Sequence, residues 1–374
     1  MAKTKALLAL VALGFAVAVQ AAGQSEAERA RQLLLKTLER SYPQNVIAII
    51  MQRTGEANGS MQRVQVQINR DGKMRQTVIY PLSLEGVETI DDGRQSATFL
   101  PDENLVIVQE SPKLLPNDAG TRISLTVRNY SLKLGGNATI AGRPATIVVA
   151  TPRARELETR RYYIDEKTGF LLQLETMEAN GRPKIAFQAQ TVVYPAKISP
   201  QTFMIDLEVG NYQKTIYKRR GNILSMDSRG SSLGFEPVLP DRLPMGFELQ
   251  DAQINDSGDW RSVAVRITDG PVKGTVYQWP SSEKVGVKAT AGTTMDTAGG
   301  LKFVVAADVP EAARKRLLNA FLDAARRQAC VPPSLGQTFQ LELIGLDETL
   351  TRAVALFQIV PVGGGMPRVL SESW

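Results

Sequence analysis

Histidine is absent from this 374-residue chain, and its absence limits what the other reactive side chains can do. Ser-His-Asp and Cys-His catalysis, histidine-ligated zinc and the imidazole pH switch are all excluded. Asp165 and Glu166 are the nearest approach to an acid and a base, with Glu156 and Glu158 close in sequence. Such a pair needs carboxyls in contrasting environments. Asp165 to Gly169 instead reads as a hairpin loop, where carboxylates are ordinarily solvated turn formers. Ser281 and Lys284 match the Ser-x-x-Lys pattern of penicillin-recognising enzymes, but they follow Pro280 in a loop and no Ser-Asp-Asn accompanies them. Asn58, Asn137 and Asn255 open glycosylation sequons, and each also stands where a turn is expected. Phosphate loops, acidic calcium loops and zinc-ligand spacings are missing, as is the dense mixture of basic and aromatic residues that nucleic acid selects. The expectation is a non-enzymatic binding protein with no catalytic residue, no metal, no cofactor and no nucleic-acid partner.

The elements that would build a binding surface begin after an export signal. Met1 to Lys5 is basic, Ala6 to Val19 is apolar, and Ala21 and Ala22 are small. These are the three regions of a secretory signal peptide, too short for a typical spanning helix. Cleavage is expected near Ala21, and no cysteine follows to carry a lipid anchor. Removing the signal leaves about 350 residues, more than one core usually serves, so two domains are expected. Cys330 is the single cysteine; no intrachain disulfide is available, and stability must come from packed cores. Loss of Lys3 and Lys5 lowers the net charge from +6 to +4. That mild excess suits an anionic surface, a lipid or an acidic partner slightly better than a cationic one.

Ser25 to Tyr42 carries a helical stripe through Ala27, Ala30, Leu34 and Leu38, with Ser25 as N-cap and Glu28 at capping-box spacing. Asn45 to Gln52 is apolar on both alternating sets, which predicts a strand covered on both faces. Gln62 to Asn69 alternates, with Val64, Val66 and Ile68 set against Gln65 and Gln67. Further strands are expected at Met74 to Tyr80, Gln95 to Leu100 and Leu105 to Gln109. From Leu132 to Tyr194 the chain reads as successive hairpins, with strands before Gly142 and at Ala145 to Ala150, Tyr162 to Ile164, Phe170 to Thr176 and Ile185 to Val193. Asn180-Gly181 supplies the strongest two-residue hairpin signal. The fold class expected is α+β, with a strongly curved antiparallel sheet, closed or half closed, wrapped on its helix over residues 22–205.

Residues 206–237 are turn-rich and read as a linker with room for one strand. Their basic cluster, Lys218, Arg219 and Arg220, is either solvated or an anionic contact. A smaller α+β domain is expected over residues 238–374. Its strands fall at Phe247 to Ile254, Arg261 to Thr268, Gly274 to Trp279, Gly286 to Thr290 and Leu301 to Ala306. A helix then runs from an Asp308 cap, with Pro310 in its first turn, to about Ala329. Strands near Phe339 to Leu343 and Ala353 to Val360 precede a loose Gly-rich tail.

What remains for function is apolar binding. A curved sheet closed by a helix can hold an acyl chain, since each buried methylene contributes about 0.8 kcal/mol. Val64, Val66, Ile68, Ile147 and Val149 either line such a lipid-binding cavity or are core beneath the helix.

Several motifs resemble the RseB/MucB family of periplasmic regulators of sigma-E signalling. They are Ile140 to Ala145, the apolar strand ending at Pro152, Arg160 to Asp165, Thr168 to Leu172, Glu178 to Gly181, and Leu243 to Phe247 at the entry to the second unit. The resemblance implies an amino-terminal domain similar to the carriers LolA and LolB. It also implies a partner, the periplasmic part of a transmembrane anti-sigma factor, which the family shields from proteolysis until an envelope-stress signal releases it. That signal would be a lipid, a lipopolysaccharide or the acyl chain of a lipoprotein. Arg160 and Arg161, with Lys218, Arg219 and Arg220, are then candidates for contacting an anionic head group or the partner. The alternative is a periplasmic lipid or lipoprotein carrier of the LolA type.

Overall fold

The computed structural model describes residues 26–39, 44–53, 61–111, 119–178, 180–217, 220–222, 233–256, 261–287, 292–328, 338–349, 352–361 and 368–373. Helix α1 (residues 26–38) opens them and is shorter than the Ser25–Tyr42 stripe; Ser25 lies outside the described residues. Strands β1 (Val46–Arg53), β2 (Met61–Ile68), β3 (Met74–Tyr80), β4 (Glu88–Asp91), β5 (Gln95–Leu100) and β6 (Leu105–Glu110) lead to helix α2 (Ala119–Asn129). After it come β7 (Tyr130–Ile140), β8 (Arg143–Pro152), β9 (Thr159–Ile164), β10 (Leu171–Met177), β11 (Pro183–Val193) and β12 (Gln213–Tyr217).

These twelve strands form one sheet in the order β12-β6-β5-β4-β3-β2-β1-β11-β10-β9-β8-β7. Two meanders, β1 to β6 and β7 to β11, are joined where β1 pairs antiparallel with β11. The outermost strands do not pair with each other, so the sheet is an open half-barrel. Extra residues at Leu134–Asn137 in β7, and in β11 opposite Ile49–Ile50 and again opposite Leu174–Glu175, are bulges that bend their strands. The fold is α+β, a curved, unclosed sheet with its helix.

Alternation explains the sheet's inner face. Val46, Ala48 and Ile50 of β1 are buried, and their register partners on β2, Ile68, Val66 and Val64, are buried with them. Ile47, Ile49 and Met51, on the other face, are half-buried. Helix α1 covers the inner face with Ala30, Leu33 and Leu34.

The expected linker supplies two strands, one to each large sheet. β12 adds to β6 in parallel, and β13 (Arg220–Asn222) pairs with β14 (Glu248–Asp256). The second sheet runs β13-β14-β15-β16-β19-β18, with β15 (Arg261–Thr268), β16 (Lys273–Pro280), β18 (Thr293–Ala298) and β19 (Leu301–Ala307). Helix α3 (Glu311–Arg327) packs on β18 and β19 through Ala313, Leu317, Phe321 and Ala325. Its N-cap is Pro310; Asp308, expected as the cap, serves elsewhere. A third sheet, β17-β20-β21-β22, joins β17 (Lys284–Val287) to β20 (Thr338–Thr349), β21 (Arg352–Pro361) and β22 (Arg368–Ser373). The stretch expected as a loose tail thus contributes β22.

One apolar cluster spans the two larger sheets, from Leu34 and Val64 through Ile123, Tyr130, Phe235 and Phe247 to Val265, Phe303 and Phe321.

Candidate functional site

The seam between the two larger sheets buries a cluster of polar groups, and helix α2 makes it. This helix is poor in strong helix formers, with Gly120, Thr121, Ser124, Thr126 and Val127 in eleven residues. Two of its hydroxyls bond back to the preceding turn, Ser124 Oγ to the Gly120 carbonyl at 2.8 Å and Thr126 Oγ1 to that of Arg122 at 2.7 Å. Packing against the second sheet gives the helix what its propensity lacks. The buried Arg122 donates from Nε to the Gly270 carbonyl at 3.0 Å. Asn129 Nδ2 lies 2.9 Å from both the Gly246 and the Asp269 carbonyl oxygens. Arg128 Nη1 meets Glu248 Oε1 at 2.6 Å.

Two glycines permit this approach. Gly270 has φ +112°, and a Cβ there would lie 2.5 Å from the Thr126 amide nitrogen and 2.7 Å from the Arg122 carbonyl. At Gly246, with φ +81°, a Cβ would fall on the Asn129 side-chain amide. Between them, Tyr130 at the start of β7 donates its hydroxyl to Asp269 Oδ2 at 2.6 Å. Asp269 is fully buried, and Oδ1 accepts the Val272 amide at 2.9 Å. Burial raises the Asp269 carboxyl above the ordinary range, against the pull of the Tyr130 and Val272 hydrogen bonds and of Arg160. Burial and the facing carboxylate likewise raise the Tyr130 phenol.

Further along the seam, Arg160 of β9 reaches the turn before α3. Its Nη2 lies 2.8 Å from the Asp308 carbonyl oxygen and 3.0 Å from Oδ2. Arg316 of α3 pairs with Glu156. Burial raises the neighbouring Glu158 carboxyl despite the opposing field of Arg160.

The expected site residues fall in separate places. Val64, Val66 and Ile68 are buried in the core. Ile147 and Val149 lie on the opposite face of the same sheet, because Val148 aligns with Tyr162, Leu174, Phe187 and Gln52 across β8, β9, β10, β11 and β1. Gln52 in turn aligns with Gln62 on the face of Val64. The five therefore do not line one cavity, since residues one apart on a strand point to opposite sides.

Arg160, expected to meet a head group or partner, is buried and committed to Asp308. Arg161 shares the face of Val149 and stands 3.9 Å from Glu175, with its side chain 41% exposed. On that face Tyr163 donates to Glu175, as does Gln173, which accepts from Gln188 in turn. Lys218 and Arg219 lie outside the described residues; Arg220 opens β13, but its side chain is not among those described.

Asp165 also differs from expectation. It is buried rather than solvated, ion-paired with Arg143 at 2.6 Å and bonded by Tyr194 at 2.9 Å and by the Lys167 and Thr168 amides. Ser281 is exposed in the turn after β16, and Lys284 begins β17, so the pair does not share a helical turn. Asn137 stands beside the β7 bulge within the strand. The seam residues Arg122, Asn129, Tyr130 and Asp269 were not singled out from sequence. Asp269-Gly270-Pro271 carried a turn signal, but nothing local told that the turn plugs into α2.

Residues 30–204 match the model of the MucB/RseB N-terminal domain. The chain is similar to a crystal structure of MucB, at 16% identity and a TM-score of 0.53 over 78% of this chain and 97% of that one. It is also similar to MucB from the Pseudomonas aeruginosa MucA/MucB complex, at 17% identity and a TM-score of 0.55 over 82% and 99%. A structure of MucB in complex with MucA(peri) gives 17% and 0.52 over the same shares. At these identities the likeness speaks for a shared fold reaching beyond the MucB/RseB domain into the second sheet. No curated protein matches the chain.

Proposed function

We propose that this protein is an exported, non-catalytic regulator of envelope-stress sigma-factor signalling that binds the periplasmic part of a transmembrane anti-sigma factor. The MucB/RseB N-terminal domain at residues 30–204 carries this reading. It is supported by the second sheet, fixed to that domain through a polar seam, and by the fold shared with MucB as found bound to MucA. The signal at residues 1–21 would deliver the chain to the periplasm, with cleavage near Ala21. Among the described residues, no helix is long and apolar enough to cross a membrane.

In this reading a lipid, a lipopolysaccharide or a lipoprotein acyl chain is the releasing signal, effective in proportion to its differential affinity for the free and partner-bound states. The inner face of the first sheet is a poor place for it, being filled by α1 against Val64 and Val66. Tyr80, Leu82 and Met204, 55%, 78% and 64% exposed, offer apolar contact outside that core. On the outer face the half-buried Ile147 and the buried Val149 lie beside Arg161, whose side chain is partly exposed. The filled inner face also weighs against a carrier of the LolA type.

Affinity capture from envelope extract, with the mature protein as bait, tests the proposal. Recovery of a single-span protein with a sigma-binding cytoplasmic part, released by added lipopolysaccharide or lipopeptide, is expected. Recovery of acylated cargo alone would replace the regulator by the carrier.

A further inference from the structure

The seam joins the sheets through a carboxyl whose protonation would cost it no hydrogen bond. Asp269 accepts from Tyr130 across the interface and from Val272 within its own turn. A carboxylic acid and a phenol each donate and accept, so a proton on Oδ2 leaves both contacts intact and removes a charge from a site without solvent exposure. We propose that Asp269 is a proton-operated latch: protonated, it holds the second sheet against Tyr130 and helix α2; ionised, it loosens that contact.

The groups facing Asp269 come from each element packed on it. From the first sheet, Tyr130 donates to it, Arg160 attracts it, and Tyr162 stands in the field of Tyr130. Helix α2 contributes Asn129, on the Asp269 carbonyl, and Arg122, on that of Gly270. Arg128 at the helix end is paired with Glu248. Arg160 is the cation that could hold Asp269 ionised, but its own ion pair is with Asp308.

The sign follows from the raised carboxyl. The closed seam binds the proton more tightly than a seam open to water, so closure is strongest below the ordinary aspartate range and weakens as pH rises through the raised value. One proton can change the closed-to-open ratio by at most about tenfold per pH unit. The device concerns the protein alone and is independent of the partner proposed above.

The test is the distance between the sheets in the full mature chain, read by fluorescence energy transfer. Dyes would sit at Arg94→Cys on the first sheet and Lys315→Cys on α3, in a Cys330→Ser background. From pH 8 to pH 5 the transfer distribution should narrow and the open fraction should fall several-fold. Asp269→Asn, neutral, with its oxygen on the Val272 amide and Nδ2 donating to the Tyr130 hydroxyl oxygen as the protonated carboxyl would, should show the narrow distribution at both pH values. An identical pH response in Asp269→Asn, or no response in the parent, overturns the latch. If Asp269→Asn does not fold, Tyr130→Phe decides. Loss of the hydroxyl donor should move the midpoint to higher pH, whereas a purely structural role weakens closure equally at every pH and leaves the midpoint in place.

Discussion

Asp165 and Asp269 are both buried aspartates bonded by a tyrosine hydroxyl, yet they do different work. Asp165 collects its donors from its own sheet: Arg143 on β8, Tyr194 just past β11, and the amides of the turn it begins. Arg143 also stacks on the Tyr194 ring, 4.3 Å from its centroid. Asp269 takes its side-chain donor from across the seam, and the nearby Arg160, which attracts it, makes its ion pair with Asp308. A buried carboxylate with a local cation fixes a hairpin. One whose side-chain partner sits on another sheet couples two bodies and makes their union sensitive to charge.

Removing the local cation should give the largest effect. Arg143→Ala leaves Asp165 buried without its ion pair, which costs about 3 kcal/mol, measurable as a lower urea midpoint with an unchanged slope. Gly270→Ala comes next. Its φ of +112° suits glycine, and the added Cβ meets the α2 backbone, so about 1–3 kcal/mol of strain is expected. Energy transfer between the sheets should broaden in this variant, whereas in Arg143→Ala it should stay narrow; broadening in both would erase the distinction. Tyr130→Phe strips Asp269 of its trans donor. A loss of about 1–3 kcal/mol is expected when the carboxyl is ionised, and a smaller one in acid, where no charge is stranded. A loss of equal size at pH 5 and pH 8 would make Asp269 as static as Asp165.

The contrast also separates what the sequence reveals from what it hides. The Asp165 hairpin was legible because its turn and strands are signalled locally by Gly169, by the apolar strand from Phe170 and by Asn180-Gly181. Its burial was not, because Arg143 and Tyr194 reach it only through sheet pairing. Val64, Val66 and Ile68 were legible as one face of one strand. Their relation to Ile147 and Val149 depended on register across four intervening strands, which no local pattern carries. Helix α2 was invisible, since Ile123 and Leu125 among two threonines, a serine and a glycine make no convincing stripe. Its stability comes from the second sheet, so the element that builds the seam is the one its own residues specify least. Asp308 shows the same effect in reverse: a good local reading as a helix cap gave way to a buried arginine from another sheet.

The smallest expected effect sharpens the comparison through its sign. Next to Asp165, Glu166 is exposed and pairs with Arg29 of α1, and it also accepts from Thr146 at 3.2 Å. The Arg29 hydrogen bond and charge hold the Glu166 carboxyl below its ordinary value. Its contribution is therefore present above the ordinary glutamate range and disappears as pH falls through the lowered one. Both side chains are about half exposed, so after screening Arg29→Ala should cost about 0.2–1 kcal/mol at neutral pH and less in high salt. Acid should thus weaken the attachment of α1 to the Glu166 turn while tightening the seam at Asp269. Denaturation of Arg29→Ala and Asp269→Asn from pH 3 to pH 8 would expose the opposite slopes. Slopes of the same sign would mean that the two carboxyls do not differ in the way their partners imply.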